Sequence, residues 1–192
     1  VSAPDFENKL DAGANNVYDV TVQVSDGLGG VDTQAIAVTV TNVNEAPVIT
    51  SNGGGAAATP ISVAENSTAV TTVTSTDVDA SATATYSIIG GADQSKFTID
   101  ASTGALSFAS APNYESPTDS GANNVYDVQV QVSDGSLTDA QDIAVTVTNV
   151  NEAPVITSNG SGTTAAVNVA ENSTAVTTVT STDVDASATA TY

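Results

Sequence analysis

The 192 residues hold 22 Asp and Glu against 2 Lys and Arg and no His, for a net charge of −20. A chain this acidic has no basic footprint for nucleic acid and is repelled by anionic membrane surfaces. With no Cys, Met or His, thiolate, imidazole and soft-metal chemistry drop out, leaving carboxylate and amide oxygens, the ligands of hard cations.

Val, Ile, Thr and Ala carry the apolar content, a β-branched bias suited to a pleated, half-buried surface. No apolar run approaches the roughly 18 residues of a membrane helix. No signal-peptide pattern opens the chain, so a fragment or a mature region is expected.

In chain order, the first recognisable block is "APDFE" at 3–7, then "GANNVYDV" at 13–20, then the glycine-rich "DGLGGVD" at 26–32, read as a hairpin loop. "IAVTVTNVNEAPVITSNG" follows at 36–53 and "VAENSTAVTTVTSTDVDASATATY" at 63–86. Short strand candidates come next: "TAVTTVTST", "TATYSII", "KFTID" and "ALSF", separated by Gly, Asp, Ser and Pro turns. "NVYDVQVQVSDG" then alternates apolar and polar positions, with Val125, Val128, Val130 and Val132 expected on one buried face, and "DIAVTVTNV" does so through Ile143, Val145 and Val147. Tyr86, Phe97, Phe108, Tyr114 and Tyr126 are expected in the core. Asp100, Asp119, Asp127 and Asp139 are expected as ordinary surface acids.

From here the chain copies itself. Residues 36–53 equal 143–160, 63–86 equal 169–192, 13–20 equal 121–128, and "APNYE" at 111–115 answers 3–7, at offsets of 107, 106, 108 and 108. Sequence that keeps register this closely consists of folded units in tandem. The expected frame is the C-terminal part of a first repeat (1–44), one complete repeat of about 107 residues (45–151), and the N-terminal part of a third (152–192). No 3.6-residue apolar stripe occurs, and about seven short strands per unit point to an all-β sandwich.

Inside the central copy the motifs run "VAENS" (63–67), "DVDASATATYSI" (77–88), "FTIDASTGAL" (97–106), "NYES" (113–116), "YDVQVQVSDG" (126–135) and "VTVTNVNEAP" (145–154). In this order they resemble a cadherin repeat, in the bacterial cadherin-like form that occurs in tandem in large surface proteins. The resemblance implies a seven-strand Greek-key β-sandwich joined to its neighbours by calcium-filled linkers.

It also implies the ligands. The first junction takes Asp5, Glu7, Asn42, Asn44, Glu45, Asp77, Asp79 and Asp134. The second takes Glu65, Glu115, Asn149, Asn151, Glu152, Asp183 and Asp185. The residues agree: the two acids of Asp-x-Asp are too costly to bury together in a core, and an acid cluster without Lys or Arg repels itself unless a divalent ion joins it. Departures are visible too. The family linker Asp-x-Asn-Asp-Asn-Ala-Pro is here Asn-Val-Asn-Glu-Ala-Pro, shorter and less acidic, and Asp5 becomes Asn113 in the second copy, so weaker or fewer ions are expected.

The expected function is a non-catalytic, calcium-stiffened spacer or stalk of a large bacterial cell-surface adhesin, extracellular, with neighbouring repeats as partners. The alternative is a self-associating fibre subunit whose terminal half-repeats are completed by strands from neighbouring chains. An enzyme would need a paired-carboxylate site in a unit with no cleft-forming insertion.

Overall fold

The computed structural model describes residues 2–57, 59–79, 82–185 and 188–192. In chain order the strands are β1 (Val17–Ser25), β2 (Val31–Thr39), β3 (Val48–Ile49), β4 (Ile61–Ala64), β5 (Ala69–Thr72), β6 (Ser75–Thr76), β7 (Thr85–Gly90), β8 (Phe97–Ile99), β9 (Ala105–Phe108), β10 (Val125–Ser133), β11 (Thr138–Thr148), β12 (Val155–Ile156) and β13 (Ser181–Thr182). Among the described residues the helical content is two 3-10 turns, at Ser51–Gly53 and Gln94–Lys96. The protein is all-β, as its β-branched composition requires.

Two sheets face each other in the central segment: a four-stranded one in the order β4-β11-β10-β7 and a three-stranded one in the order β5-β9-β8. The alternation in β10 and β11 decides which face is buried. Tyr126, Val128, Val130 and Val132 of β10 and Ile143, Val145 and Val147 of β11 are buried, while Gln129 and Gln131 look outward. Leu106, Phe108 and Phe97 come from the opposite sheet, and Ile49, Val73 and Tyr86 close the core. Phe97 stacks on Phe108 with centroids 4.7 Å apart, and Tyr126 meets Phe108 edge-on at 5.2 Å. Offset and edge-on pairs satisfy the ring quadrupoles. Gly104 sits at φ +71, where a Cβ would strike the Val73 carbonyl oxygen, so the turn before β9 needs glycine.

The strand phase departs from expectation by one residue at the start of β10. Val125 lies half-buried on the outer face and Tyr126 takes the first core position, because the alternation runs back from Val128 to Tyr126. Tyr114 is not core: it is 39% exposed, in the loop before β10. Asp119 is not a surface acid. It is buried and accepts the Asn123 and Asn124 backbone amides at 2.9 and 3.0 Å. Asp139 likewise accepts the Ile49 amide at 2.8 Å, tying β3 to β11.

β11 sets the distance between the two linkers. At one end, the β10–β11 turn brings Asp134 beside residues 42–45, with Asn44 donating to its carboxylate. At the other, β11 pairs in parallel with β4, matching Thr148 with Ala64, so that Glu65 stands beside the chain leaving β11. An eleven-residue strand puts about 35 Å between these two ends.

The segments on either side share the sequence but not the burial. β1 and β2 form an antiparallel hairpin in the register of β10 and β11. Yet Val20, Val22, Val24, Ile36 and Val38 are 38–66% exposed, where their counterparts are at most 1%. Beyond residue 152, β12 and β13 pair over two residues, and Val167, Val169, Val176 and Val179 are exposed.

Candidate metal centre

Two joints repeat one hydrogen-bond pattern. At the first, Asn42 donates its side-chain amide to Asp79 Oδ1 at 2.6 Å, the Glu45 backbone amide donates to Asp79 Oδ2 at 2.9 Å, and the Asp79 amide donates to Asp77 Oδ1 at 2.9 Å. At the second, Asn149 donates to Asp185 Oδ1 at 2.8 Å, the Glu152 amide to Asp185 Oδ2 at 2.8 Å, and the Asp185 amide to Asp183 Oδ1 at 3.0 Å. Asn44 and Asn151 each donate to the carbonyl of the following Glu, at 3.0 and 2.9 Å. The Asp-x-Asp turn thus clamps the linker from the far side. Asn42 and Asn149 supply a donor where a second carboxylate would repel.

Carboxylates converge beside each clamp. Oxygens of Glu7, Glu45 and Asp79 lie within 4.8 Å of one another, as do those of Glu65, Glu115 and Glu152. At the second joint Glu65 is almost fully buried, and both its oxygens are held: Val150 N donates to Oε1 and Tyr114 N to Oε2, each at 2.8 Å. Asn66, in a left-handed turn at φ +61, donates to Glu152 Oε1 at 3.1 Å.

What these groups lack is more telling. Glu115 Oε2, Glu152 Oε2 and Asp77 Oδ2 are buried oxygens with no hydrogen-bond partner. A buried carboxylate oxygen without a donor is costly, and neither Lys nor Arg stands by to pair with it. Burial pushes the Glu152 carboxyl above its usual range, and the charges of Glu65, Glu115 and Asp185 push it further. Glu45 is raised in the same way, by desolvation first and then by Glu7, Asp79, Asp5 and Asp77. Donor chemistry and spacing fit a hard divalent cation, which takes six to eight oxygens at about 2.3–2.6 Å.

Not every expected residue joins these clusters. Asp134 does reach the first joint, accepting Asn44 Nδ2 at 2.7 Å. That bond, with the Leu137 and Ser136 amides, holds its carboxyl below the usual range. Asp5 caps its own turn, accepting the Glu7 and Asn8 amides at 3.0 Å on Oδ1. Asn113 does the same for Ser116 at 2.7 Å, so the Asp-to-Asn change between copies leaves the turn intact. Asp183 and Asp77 orient the second Asp of each pair. The sequence reading missed Asn66, and also the two amides that fix Glu65. The left-handed asparagine after Glu65 was a signal in plain sight.

Comparison with known proteins gives this geometry a context. Residues 59–151 match the family model for the cadherin domain. Among the solved structures that resemble the chain are two protocadherin segments. One is protocadherin gamma B2 extracellular cadherin domains 3–6, at 23% identity and TM-score 0.52. The other is the protocadherin gammaB7 EC3-6 cis-dimer, at 25% identity and TM-score 0.51. Each comparison covers 78% of this chain, and the chain spans 37% of the length of each of those structures. Halomucin of Haloquadratum walsbyi (strain DSM 16790 / HBSQ001) is 59% identical over 34 residues, 18% of this chain and 0% of that protein to the nearest per cent.

Proposed function

We propose, from the premise that residues 59–151 form a cadherin domain, that this chain is a calcium-stiffened spacer of an extracellular, cell-surface adhesin. Cadherin domains imply an adhesion or extracellular stalk role and are non-enzymatic modules. The finer reading rests on one observation: buried, unpartnered carboxylate oxygens of Asp77, Glu115 and Glu152 gathered at the two places where one segment passes into the next.

Calcium supplies charge neutralisation and a bridge between segments when it is bound. At the second joint Glu65, Glu115, Glu152, Asp183 and Asp185 would hold it, with Asn149 and Asn151 offering amide oxygens. At the first, Glu7, Glu45, Asp77, Asp79 and Asp134 would do so, with Asn42 and Asn44, while Asp5 caps the turn that carries Glu7. The protein's own part is to fix the donors. Glu65 is pinned by two backbone amides and Asp185 by the linker, so the carboxylates meet an ion already oriented. Pro47 and Pro154 keep the linkers extended. Two domains sharing an ion lose the relative motion that a bare polar linker leaves open.

Small-angle scattering tests this directly. An extended rod with calcium and a shorter maximum dimension with chelator are expected. An unchanged maximum dimension would mean that packing alone stiffens the joint.

A further inference from the structure

We infer that Asn124 is a positioning residue for the second joint: its side-chain amide holds the turn that carries Glu115 and so sets where that carboxylate meets a cation. The role given to the carboxylate rests on the proposed calcium site; the way it is held rests on hydrogen bonds alone. Asn124 Nδ2 donates to the Tyr114 carbonyl at 2.9 Å. From the other side the Tyr114 amide donates to Glu65 Oε2 at 2.8 Å, and the Ser116 amide closes the turn on Asn113 Oδ1 at 2.7 Å. Glu115 lies between these fixed points, with its Oε2 buried and unpartnered.

Asn124 is itself anchored to the body of the domain. Its backbone amide donates to the buried Asp119 carboxylate at 3.0 Å, and its carbonyl accepts the Val147 amide of β11 at 2.8 Å. The side chain thus reaches from the four-stranded sheet to the turn at the joint. The first copy repeats all three bonds: Asn16 Nδ2 to the Phe6 carbonyl at 2.9 Å, Asn16 N to Asp11 Oδ1 at 2.9 Å, and Val40 N to Asn16 O at 2.9 Å. There the held carbonyl precedes Glu7, as Tyr114 precedes Glu115.

The choice of asparagine shows which atom is wanted. Asn124 and Asn16 both stand at φ +62, in the left-handed region that glycine enters without strain. Glycine would keep the backbone bonds to Asp119 and Val147 and would bring no polar side chain. Asparagine leaves its Oδ1 buried without a partner in both copies, a cost that the Nδ2 donor has to offset. Partners that orient metal ligands in this way change metal affinity by about 10- to 100-fold when they are removed.

Asn124→Gly keeps the left-handed turn and deletes the donor alone. In chelator, hydrogen exchange should speed up several-fold at the Tyr114 and Ser116 amides and stay unchanged at the amides of the β10–β11 ladder. Calcium binding, titrated calorimetrically well below the melting midpoint, should weaken by about tenfold. In a chain that already carries Glu115→Gln the same substitution should weaken it no further, because two residues acting through one contact are not additive. A merely structural role would instead loosen the ladder and weaken calcium binding equally in both backgrounds. Unchanged exchange at Tyr114 and Ser116, or equal weakening in both backgrounds, overturns the inference and leaves the calcium site standing. An unaltered chain that binds no calcium overturns both.

Discussion

Asn149 and Asp185 are joined across the second joint by a 2.8 Å hydrogen bond from the asparagine amide to Oδ1. Asn42 and Asp79 repeat it at the first joint. Replacing the donor with an acceptor should separate the metal-free state from the loaded one. Asn149→Asp sets two carboxylates against each other and lowers the melting midpoint in chelator. It also adds a charged ligand, tightening calcium binding by about tenfold, since ligand charge count tunes calcium sites over decades of affinity. Paired melts and calorimetric titrations of the variant read both effects.

Glu115 and Asp119 lie four residues apart and should behave oppositely. Asp119→Ala leaves the Asn123 and Asn124 amides without their acceptor and should cost about 1–3 kcal/mol with or without calcium. Glu115→Gln removes a repelling charge and an unpartnered oxygen. It should raise the chelator midpoint and weaken calcium binding. A Glu115 variant as unstable in chelator as Asp119→Ala would refute the assignment.

Acidity should move the metal-free protein in two directions. Burial would raise the Asp119 carboxyl, but the Asn123 and Asn124 amides outweigh it and the net value is lowered. Its contribution is thus present above the ordinary Asp value and is lost as pH falls through the folded one. Glu45 and Glu152 are raised: the folded state holds their protons more tightly than the unfolded, so they favour folding at low pH and lose that effect as pH rises through the folded value. Calorimetry in chelator between about pH 3 and 8 should show its highest midpoint near about pH 5. Asp119→Asn should flatten the acid limb alone.

Val130 and Val22 occupy the same position in two copies of one motif, yet Val130 is 0% exposed and Val22 44%. Val130→Ala should cost about 2 kcal/mol or more through lost burial and a cavity, while Val22→Ala should change the midpoint of the central segment little. Denaturant titration of both variants checks this.

The all-β class and the pairs of alternating strands were legible because a period of two is written directly in Val-x-Val spacing. Tyr114 and Val125 were misplaced for a related reason. Alternation names two faces, and only the opposing sheet with Phe97 and Phe108 decides where the buried phase starts. At the joints the acids could be read from the motif order. Their division of labour could not: whether Asp5 faces an ion or caps its own turn depends on which backbone amides the loop leaves free. Asp119 was missed because Asx capping looks like any surface Asp until the loop closes over it.

The parallel alignment of β4 and β11 carries a mechanical consequence. When tension is applied between the linkers at residues 45 and 152, β4 is drawn toward one pole through the chain that precedes it, and β11 toward the other through Asn149. Neighbouring strands running in the same direction are thereby dragged past each other lengthwise. The four residue pairs from Val145↔Ile61 to Thr148↔Ala64 share the load at once and do not open one after another like a zipper. A tether built this way gives abruptly at a high force, and single-molecule stretching should record one sharp rupture for the central segment.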